Sequence, residues 1–142
     1  METSDDALSW IRWINDEKAD DTVPFAAFAV ERKQDAKCIG MIGVAPKWEI
    51  DNEIEIVFLI ADEYCNNGYA TEAGRAMVRW TFEKAGQEVL SAIVKPENIA
   101  SRRVIEKLGF IYKDTRTLEY DGADCEFNYF RLHRSALEDV DI

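Results

Sequence analysis

The sequence predicts one mixed α/β domain that takes in residues 1–142. Apolar residues make up 47% of the chain, which is enough to bury a core and argues against disorder. Segments with the two-residue alternation of β-strands are interspersed with segments that have helical spacing. The chain closes on two strand-like segments around an Asp-Gly pair, the pattern of a β-hairpin. A sheet flanked by helices accounts for all three observations.

The first half of the chain is predicted to hold one helix and three strands. Leu8, Ile11 and Ile14 share one face of an opening helix. Two apolar segments, PFAAFAVERK and AKCIGMIGVAP, then have the composition of paired strands. The clearest strand is DNEIEIVFLIAD, in which Ile54 and Ile56 alternate with acidic residues, so that one face is apolar and the other charged.

In the second half, helices and strands alternate. A helix is predicted over Tyr69–Ala85, where apolar residues recur at helical spacing. The strand EVLSAIVKP follows, and then a second helix, NIASRRVIEKLG, for which Asn98 is the expected N-cap and Gly109 the stop. Two final strands, 110–120 and 125–133, meet at the DG turn.

Charge and cysteine content bound the function. The formal net charge of −11 speaks against a nucleic-acid surface, which needs clustered Lys and Arg. The charge favours a cationic partner, although solubility alone explains it. Cys38, Cys65 and Cys125 are dispersed, so we predict reduced thiols in the cytoplasm and no metal site. We expect no secretion signal, because the first ten residues lack a basic start, and no membrane span, because no segment approaches ~18 apolar residues.

A turn, Asn66-Asn67-Gly68, joins the clearest strand to the long helix. These three residues tolerate positive φ, and glycine lets another molecule approach the backbone. The amides at the start of the helix, near Ala70 and Thr71, form a candidate anion site. The segment is neither a Walker loop nor a dinucleotide fingerprint. Many such junctions bind nothing, so the turn alone leaves phosphate binding open.

Two segments in combination carry a resemblance to a known family. EIVFLIADEYCNNGYATEA and PENIASRRVIEKLGF occur in the order and at the separation seen in the GNAT N-acetyltransferase superfamily. The chain is most similar to the branch of ribosomal-protein N-terminal acetyltransferases and spermidine acetyltransferases, over residues 5 to 135. The resemblance implies the GNAT acyl-CoA N-acyltransferase fold, a mostly antiparallel central sheet whose two central strands splay apart between flanking helices.

The resemblance also implies acetyl-CoA as donor and a primary amine as acceptor, either a protein N-terminus or a polyamine. The pantetheine arm would lie between the splayed strands, and the pyrophosphate would bind amides of the turn. The donor-binding residues implied in this way are Phe58, Leu59, Ile60, Asn66, Asn67, Gly68, Tyr69, Ala70, Thr71, Asn98 and Ser101. A plain helix cap explains Asn98 as well.

The catalytic residues implied by the resemblance are Glu55 and Ser101. An acid at the first position can deprotonate the incoming ammonium, because only a neutral amine attacks a thioester; a solvated carboxylate on the strand face is the alternative. Many relatives carry a Tyr as general acid where this chain has Ile105. The general acid is therefore Ser101, solvent or not needed at all, and these alternatives stay open. A CoA-binding protein that has lost catalysis is also an open interpretation.

The acceptor side is less specific in the sequence. Glu49, Asp51, Glu53 and Glu55 form either a solvated rim or a surface that attracts a polyamine or a basic N-terminus. Trp48 is expected in the core, or as a wall of the acceptor pocket. The acceptor itself is not defined by these residues.

The chain departs from the family pattern in two places. Relatives usually have a basic residue in the turn, where this chain has Cys65-Asn66-Asn67, so we expect weaker binding of CoA. Relatives also begin with a strand and a helix that have no counterpart here, which makes PFAAFAVERK the expected sheet edge. Since this segment is apolar on both faces, we predict self-association, most simply a homodimer, unless the chain starts late.

Overall fold

Six strands form one mixed sheet in this computed structural model, which describes residues 25–138. The strands are β1 (Ala26–Arg32), β2 (Lys37–Lys47), β3 (Glu53–Ile60), β4 (Val89–Val94), β5 (Ile111–Tyr120) and β6 (Ala123–His133). The helices are α1 (Tyr69–Glu83), α2 (Ile99–Lys107) and α3 (Arg134–Glu138). The helix predicted around Leu8 lies outside the described residues. None of the helices within 25–138 is long and apolar enough to cross a membrane.

The order of the strands is β1-β2-β3-β4-β6-β5. All neighbours are antiparallel except β3 and β4, which are parallel. That parallel pair has a single register position, Glu55 opposite Ser91, and the strands part beyond it. The predicted fold class, including the splayed central strands, is therefore confirmed.

Helices α1 and α2 cover one face of the sheet and close the main core. The apolar face of β3 supplies Ile54 and Ile56, as the alternation predicted. In α1 the buried residues recur every three or four positions, which places Met77 and Phe82 against the sheet. The other buried core residues are Ile42, Val44, Val78, Leu90, Ala92, Val94, Ile105, Leu108, Phe110, Phe130 and Leu132.

Strand β1 forms one edge of the sheet within the described residues, as predicted. It is tied to the helical layer by Phe28, whose ring meets the Trp80 ring edge-on at 5.8 Å between centroids. Self-association along this edge stays a prediction. Trp48 does not belong to the core: in the 3₁₀ turn Trp48–Ile50 between β2 and β3, Ile50 is buried and Trp48 is 70% exposed.

Two glycines mark close approaches of different kinds. A Cβ on Gly43 of β2 would lie 2.4 Å from the backbone oxygen of Ala26 in β1. A Cβ on Gly74 of α1 would lie 2.7 Å from Cδ1 of Leu108, at the end of a flexible side chain. The sheet can accommodate the first only by moving a strand, whereas the helix pair can accommodate the second by a change of rotamer.

We therefore expect the substitutions Gly43→Ala and Gly74→Ala to differ in cost. Gly43→Ala should lower the free energy of unfolding by about 1–3 kcal/mol, as overpacking does. For Gly74→Ala the helical preference for Ala over Gly, about 1 kcal/mol, offsets much of the crowding. Urea denaturation of both variants gives the comparison. Equal losses would show that the β1–β2 contact yields as easily as the helix contact.

Candidate active site

A cleft opens where β3 and β4 part. It encloses a cavity of about 190 Å³ between the two strands and α2. The residues that line it are Glu55, Ile56, Val57, Phe58, Ala92, Ile93, Val94, Asn98, Ser101 and Ile105. Because β3 and β4 are parallel, their carboxyl ends lie at the same edge of the sheet, and α1 and α2 both begin there. The cleft therefore opens toward two helix N-termini.

The turn before α1 has the backbone that the sequence predicted. Asn66 and Gly68 have positive φ angles of 65° and 80°. The first bond within the helix runs from the Glu72 amide to the Gly68 carbonyl, so the amides of residues 69–71 have no acceptor in the helix. A Cβ on Gly68 would have no heavy atom within 4 Å, which leaves the approach open. This arrangement suits an anion.

The side chain of Asn67 helps to hold the turn. Its Nδ2 atom donates to the carbonyl oxygens of Tyr64 at 3.1 Å and Cys65 at 3.0 Å. The Cys65 thiol lies 3.6 Å from the carbonyl oxygen of Ile60. These contacts fix the backbone between β3 and α1.

Two cations reach this region from the β1–β2 hairpin, which sequence reasoning missed. The Arg32 guanidinium lies 4.9 Å and the Lys37 ammonium 5.5 Å from the centre of the Tyr64 ring. Arg32 also donates from Nε to Asp35 at 3.1 Å. Nη2 of Arg32 also pairs with Oδ2 of Asp35 at 2.5 Å, which offsets its charge, so Lys37 is the cation left near a turn that has no basic residue of its own. Only the pairing of distant strands produces this proximity, so no local pattern could have shown it.

Asn98 caps α2, as predicted. Its Oδ1 atom accepts a hydrogen bond from the Ser101 amide at 3.2 Å. The structure thus brings four predicted site residues, Glu55, Phe58, Asn98 and Ser101, to one cavity. The other predicted residues, Leu59, Ile60 and Asn66–Thr71, do not line this cavity and follow it along the chain, at the end of β3 and in the turn.

Glu53 lies at the closed end of the cleft and joins three strands. Its carboxylate accepts hydrogen bonds from the Ser91 hydroxyl at 2.6 Å and from Nη2 of Arg131 at 2.6 Å, and from the Tyr129 hydroxyl. Burial disfavours the charged form of Glu53, but the bonds from Arg131, Ser91 and Tyr129 outweigh it and lower the pKa. Glu53 is therefore held as a carboxylate.

Glu55, two residues later on the same face of β3, has the opposite environment. Burial raises its pKa to about 7; the nearby Lys47 ammonium opposes this rise, and the Glu49 carboxylate adds to it. Adjacent carboxylates whose pKa values are driven apart are typical of sites that separate structural from proton-transfer roles. Glu55 is also one of the residues that line the cleft.

Several lining residues carried no functional signal in the sequence. Val57 and Val94 supply apolar walls, and their pattern is that of ordinary core residues. Lys47 and Glu49 act on Glu55 from β2 and the following turn. The proximity of Lys47 to Glu55 follows from the β2–β3 register, in which Lys47 is opposite Glu53. Aligning the two strands as a hairpin in the sequence would have predicted this proximity.

The comparisons with known proteins agree with this geometry. The GNAT acetyltransferase domain family matches residues 1–111. YkkB of Bacillus subtilis is 31% identical over 108 residues, 75% of this chain and 61% of that protein. The N-acetyltransferase YnaD of the same organism is 32% identical over 108 residues, 75% of this chain and 59% of that protein. This chain therefore spans about three-fifths of the length of these relatives.

A solved structure of mutant forms of the spermidine/spermine N-acetyltransferase SpeG from Vibrio cholerae has the same fold. The TM-score is 0.72 over 96% of this chain and 81% of that one, at 17% sequence identity. The parted strands, the turn before α1 and the match to the family over most of the sequence lead to one conclusion: the chain belongs to the GNAT acetyltransferase family.

Proposed function

We propose that the protein transfers the acetyl group of acetyl-CoA directly to a primary amine, with Glu55 as the general base. One observation carries the proposal: Glu55, whose pKa burial raises to about 7, lines the cleft between β3 and β4, and helix N-termini lie at the open edge. A base that titrates near neutral pH can take up a proton and release it again under physiological conditions.

The residues present fit the donor. Beyond Glu55, the facing backbone groups of β3 and β4 are not paired with each other, so they are available to an extended amide such as the pantetheine arm. The open amides at residues 69–71 suit a pyrophosphate, with Lys37 as nearby positive charge. Asn98 and Ser101 add polar groups to the cavity wall. Acetyl-CoA supplies an activated thioester.

The proposed chemistry needs one nucleophile and acceptors for two protons. A primary amine enters as an ammonium, gives a proton to the Glu55 carboxylate and so exposes its lone pair. The new N–C bond forms as the C–S bond breaks, the electron pair of that bond leaves with the thiolate, and the second proton of the nitrogen passes to solvent. Ser101, in the same cavity, or solvent returns a proton to sulfur. No acyl-enzyme is required, because Glu55 acts on the amine and not on the acyl carbon.

The acceptor side of the site favours a cation. Glu49 and Glu55 lie near one another, and the chain has a net charge of −11. Spermidine, named for SpeG, and a basic protein N-terminus both have this character. We place the activity in the cytoplasm, since the three cysteines are dispersed along the sequence and show no metal-binding spacing.

A second candidate function is binding of CoA without catalysis. Ile105, 1% exposed at the cleft wall, stands where many relatives have a general-acid Tyr, and this favours the alternative. A release assay for free thiol with acetyl-CoA and a panel of amines, including spermidine and a basic N-terminal peptide, separates the two. Turnover of any amine supports the transferase, and CoA binding without turnover supports the alternative.

The substitution Gly68→Val tests the donor turn. A branched side chain would fill the open approach to the amides, so we expect CoA affinity to fall below detection by calorimetry. Gly86→Val is the matched control: Gly86 also has a positive φ, 67°, and also has open space around its Cβ position, but it lies at the other end of α1. Both variants bear similar backbone strain. Equal CoA affinities in the two would show that the turn does not hold the donor.

The substitution Glu55→Gln tests the base. Loss of general-base catalysis should lower kcat by about 10²–10⁴-fold and leave CoA affinity nearly unchanged. The base form of Glu55 increases as the pH rises through about 7, so wild-type kcat/KM should rise across that range. The variant should lack this rise of kcat/KM with pH. The difference in rate between wild type and variant should shrink toward pH ~5, where Glu55 of the wild type is mostly protonated. A rate within about twofold of wild type would assign the proton transfer to another group or to solvent.

A further inference from the structure

Three charged side chains lie near one another at the end of the β2–β3 hairpin, where Lys47 is opposite Glu53 and Ala45 is opposite Glu55. The Lys47 ammonium lies 3.5 Å from Oε2 of Glu49, and both side chains act electrostatically on Glu55. Lys47 lies at the end of β2 and Glu49 in the 3₁₀ turn Trp48–Ile50, so this short stretch brings two carboxylates around one cation. Glu55 is also a wall of the cavity between β3 and β4.

Glu49 is the unusual member of this group. Its Oε2 atom is buried and has no hydrogen-bond partner within the described part of the chain, and its side chain is only 15% exposed. The Lys47 ammonium is near but makes no hydrogen bond to it at 3.5 Å. A buried carboxylate oxygen without a donor is costly and is a place where a donor from another molecule would bind favourably.

Resting on the function proposed above, we propose that Glu49 is an acceptor-binding residue: the ammonium of the acceptor binds between the carboxylates of Glu49 and Glu55, in competition with Lys47.

A primary ammonium suits this place because it has three N–H donors on a compact charge. One can bond Oε2 of Glu49 and another Glu55. When Glu55 takes its proton, the neutral amine keeps its bond to Glu49 and so stays positioned while its lone pair becomes free. The balance is one proton moved from nitrogen to the Glu55 carboxylate, with no further reactant.

The other charged groups near Glu55 do not offer the same place. Glu53, on the same face of β3, is occupied by Arg131 and Tyr129 of β6 and by Ser91 of β4. From α2, the groups that line the cavity are Asn98, Ser101 and Ile105, none of which is charged. Among residues 25–138, the charges acting on Glu55 are Lys47 and Glu49, with opposite effects.

The test compares three single variants of the full chain with wild type. Glu49→Gln removes the charge and keeps the shape. Asp51→Asn removes one negative charge from the exposed segment right after the same turn, and Asn tolerates the left-handed backbone there. Lys47→Met removes the competing cation. Spermidine is the probe; its KM is measured with acetyl-CoA, its affinity by calorimetry without acetyl-CoA, and the Glu55 titration by the ¹³C shift of its carboxyl group.

For Glu49→Gln we expect KM and Kd for spermidine to rise about tenfold or more, since a charge-assisted bond is lost, while CoA affinity is unchanged. The Glu55 titration should move to lower pH in Glu49→Gln and to higher pH in Lys47→Met. Asp51→Asn should leave KM and Kd for spermidine within about twofold of wild type.

Equal spermidine constants in Glu49→Gln and Asp51→Asn would overturn the inference, because net charge alone would then explain any effect. The proposed function fails separately: if Glu55→Gln keeps full activity, the base is wrong whatever Glu49 does. Spermidine affinity without acetyl-CoA tests the acceptor place even if the chain turns over no amine.

Discussion

The parting of β3 from β4 beyond Glu55 and Ser91 is the constraint on which the site depends. Two neighbouring parallel strands would ordinarily continue their hydrogen bonds to the end of the shorter strand. Here Glu53 binds β3 to β4 through Ser91 and to β6 through Tyr129 and Arg131, and so fixes the closed end of the cleft. The strands can then diverge toward the helices without loss of the sheet, and the divergence leaves backbone groups for a ligand.

The same strand places two carboxylates in opposite roles. Glu53 is surrounded by donors and stays charged, so it contributes to architecture. Glu55 lies one repeat further along, where the donors end and burial dominates, and its pKa rises to about 7. A separation of two residues is enough because alternate residues of a strand share a face while their neighbours across the sheet differ. The position of a residue along the diverging strands, more than its type, therefore sets the direction in which its pKa moves.

Much of the fold is local and could be predicted from the sequence. The alternation around Ile54 and Ile56, the cap at Asn98 and the turn at Gly68 each depend on a few adjacent residues, and the structure has all three. Of the two expectations for Trp48, a place in the core is wrong: the turn between β2 and β3 buries Ile50 and leaves Trp48 exposed, which residue type alone does not show. Local periodicity does not predict contacts that depend on strand register and tertiary packing. Such contacts are those of Arg32 with Tyr64 and of Lys47 with Glu49 and Glu55.

The turn at Gly68 offers a ligand mainly backbone amides, and this has a consequence for the kinetics of the two proposed substrates. A chain with a net charge of −11 repels a polyanion such as CoA at long range, and uncharged amides act only on contact. Added salt shortens the range of that repulsion to about 10 Å at 0.1 M. The donor should therefore associate faster as ionic strength rises, while a polycationic acceptor, drawn in by the same field, should associate more slowly. The ionic strength of the medium thus shifts which substrate is captured first.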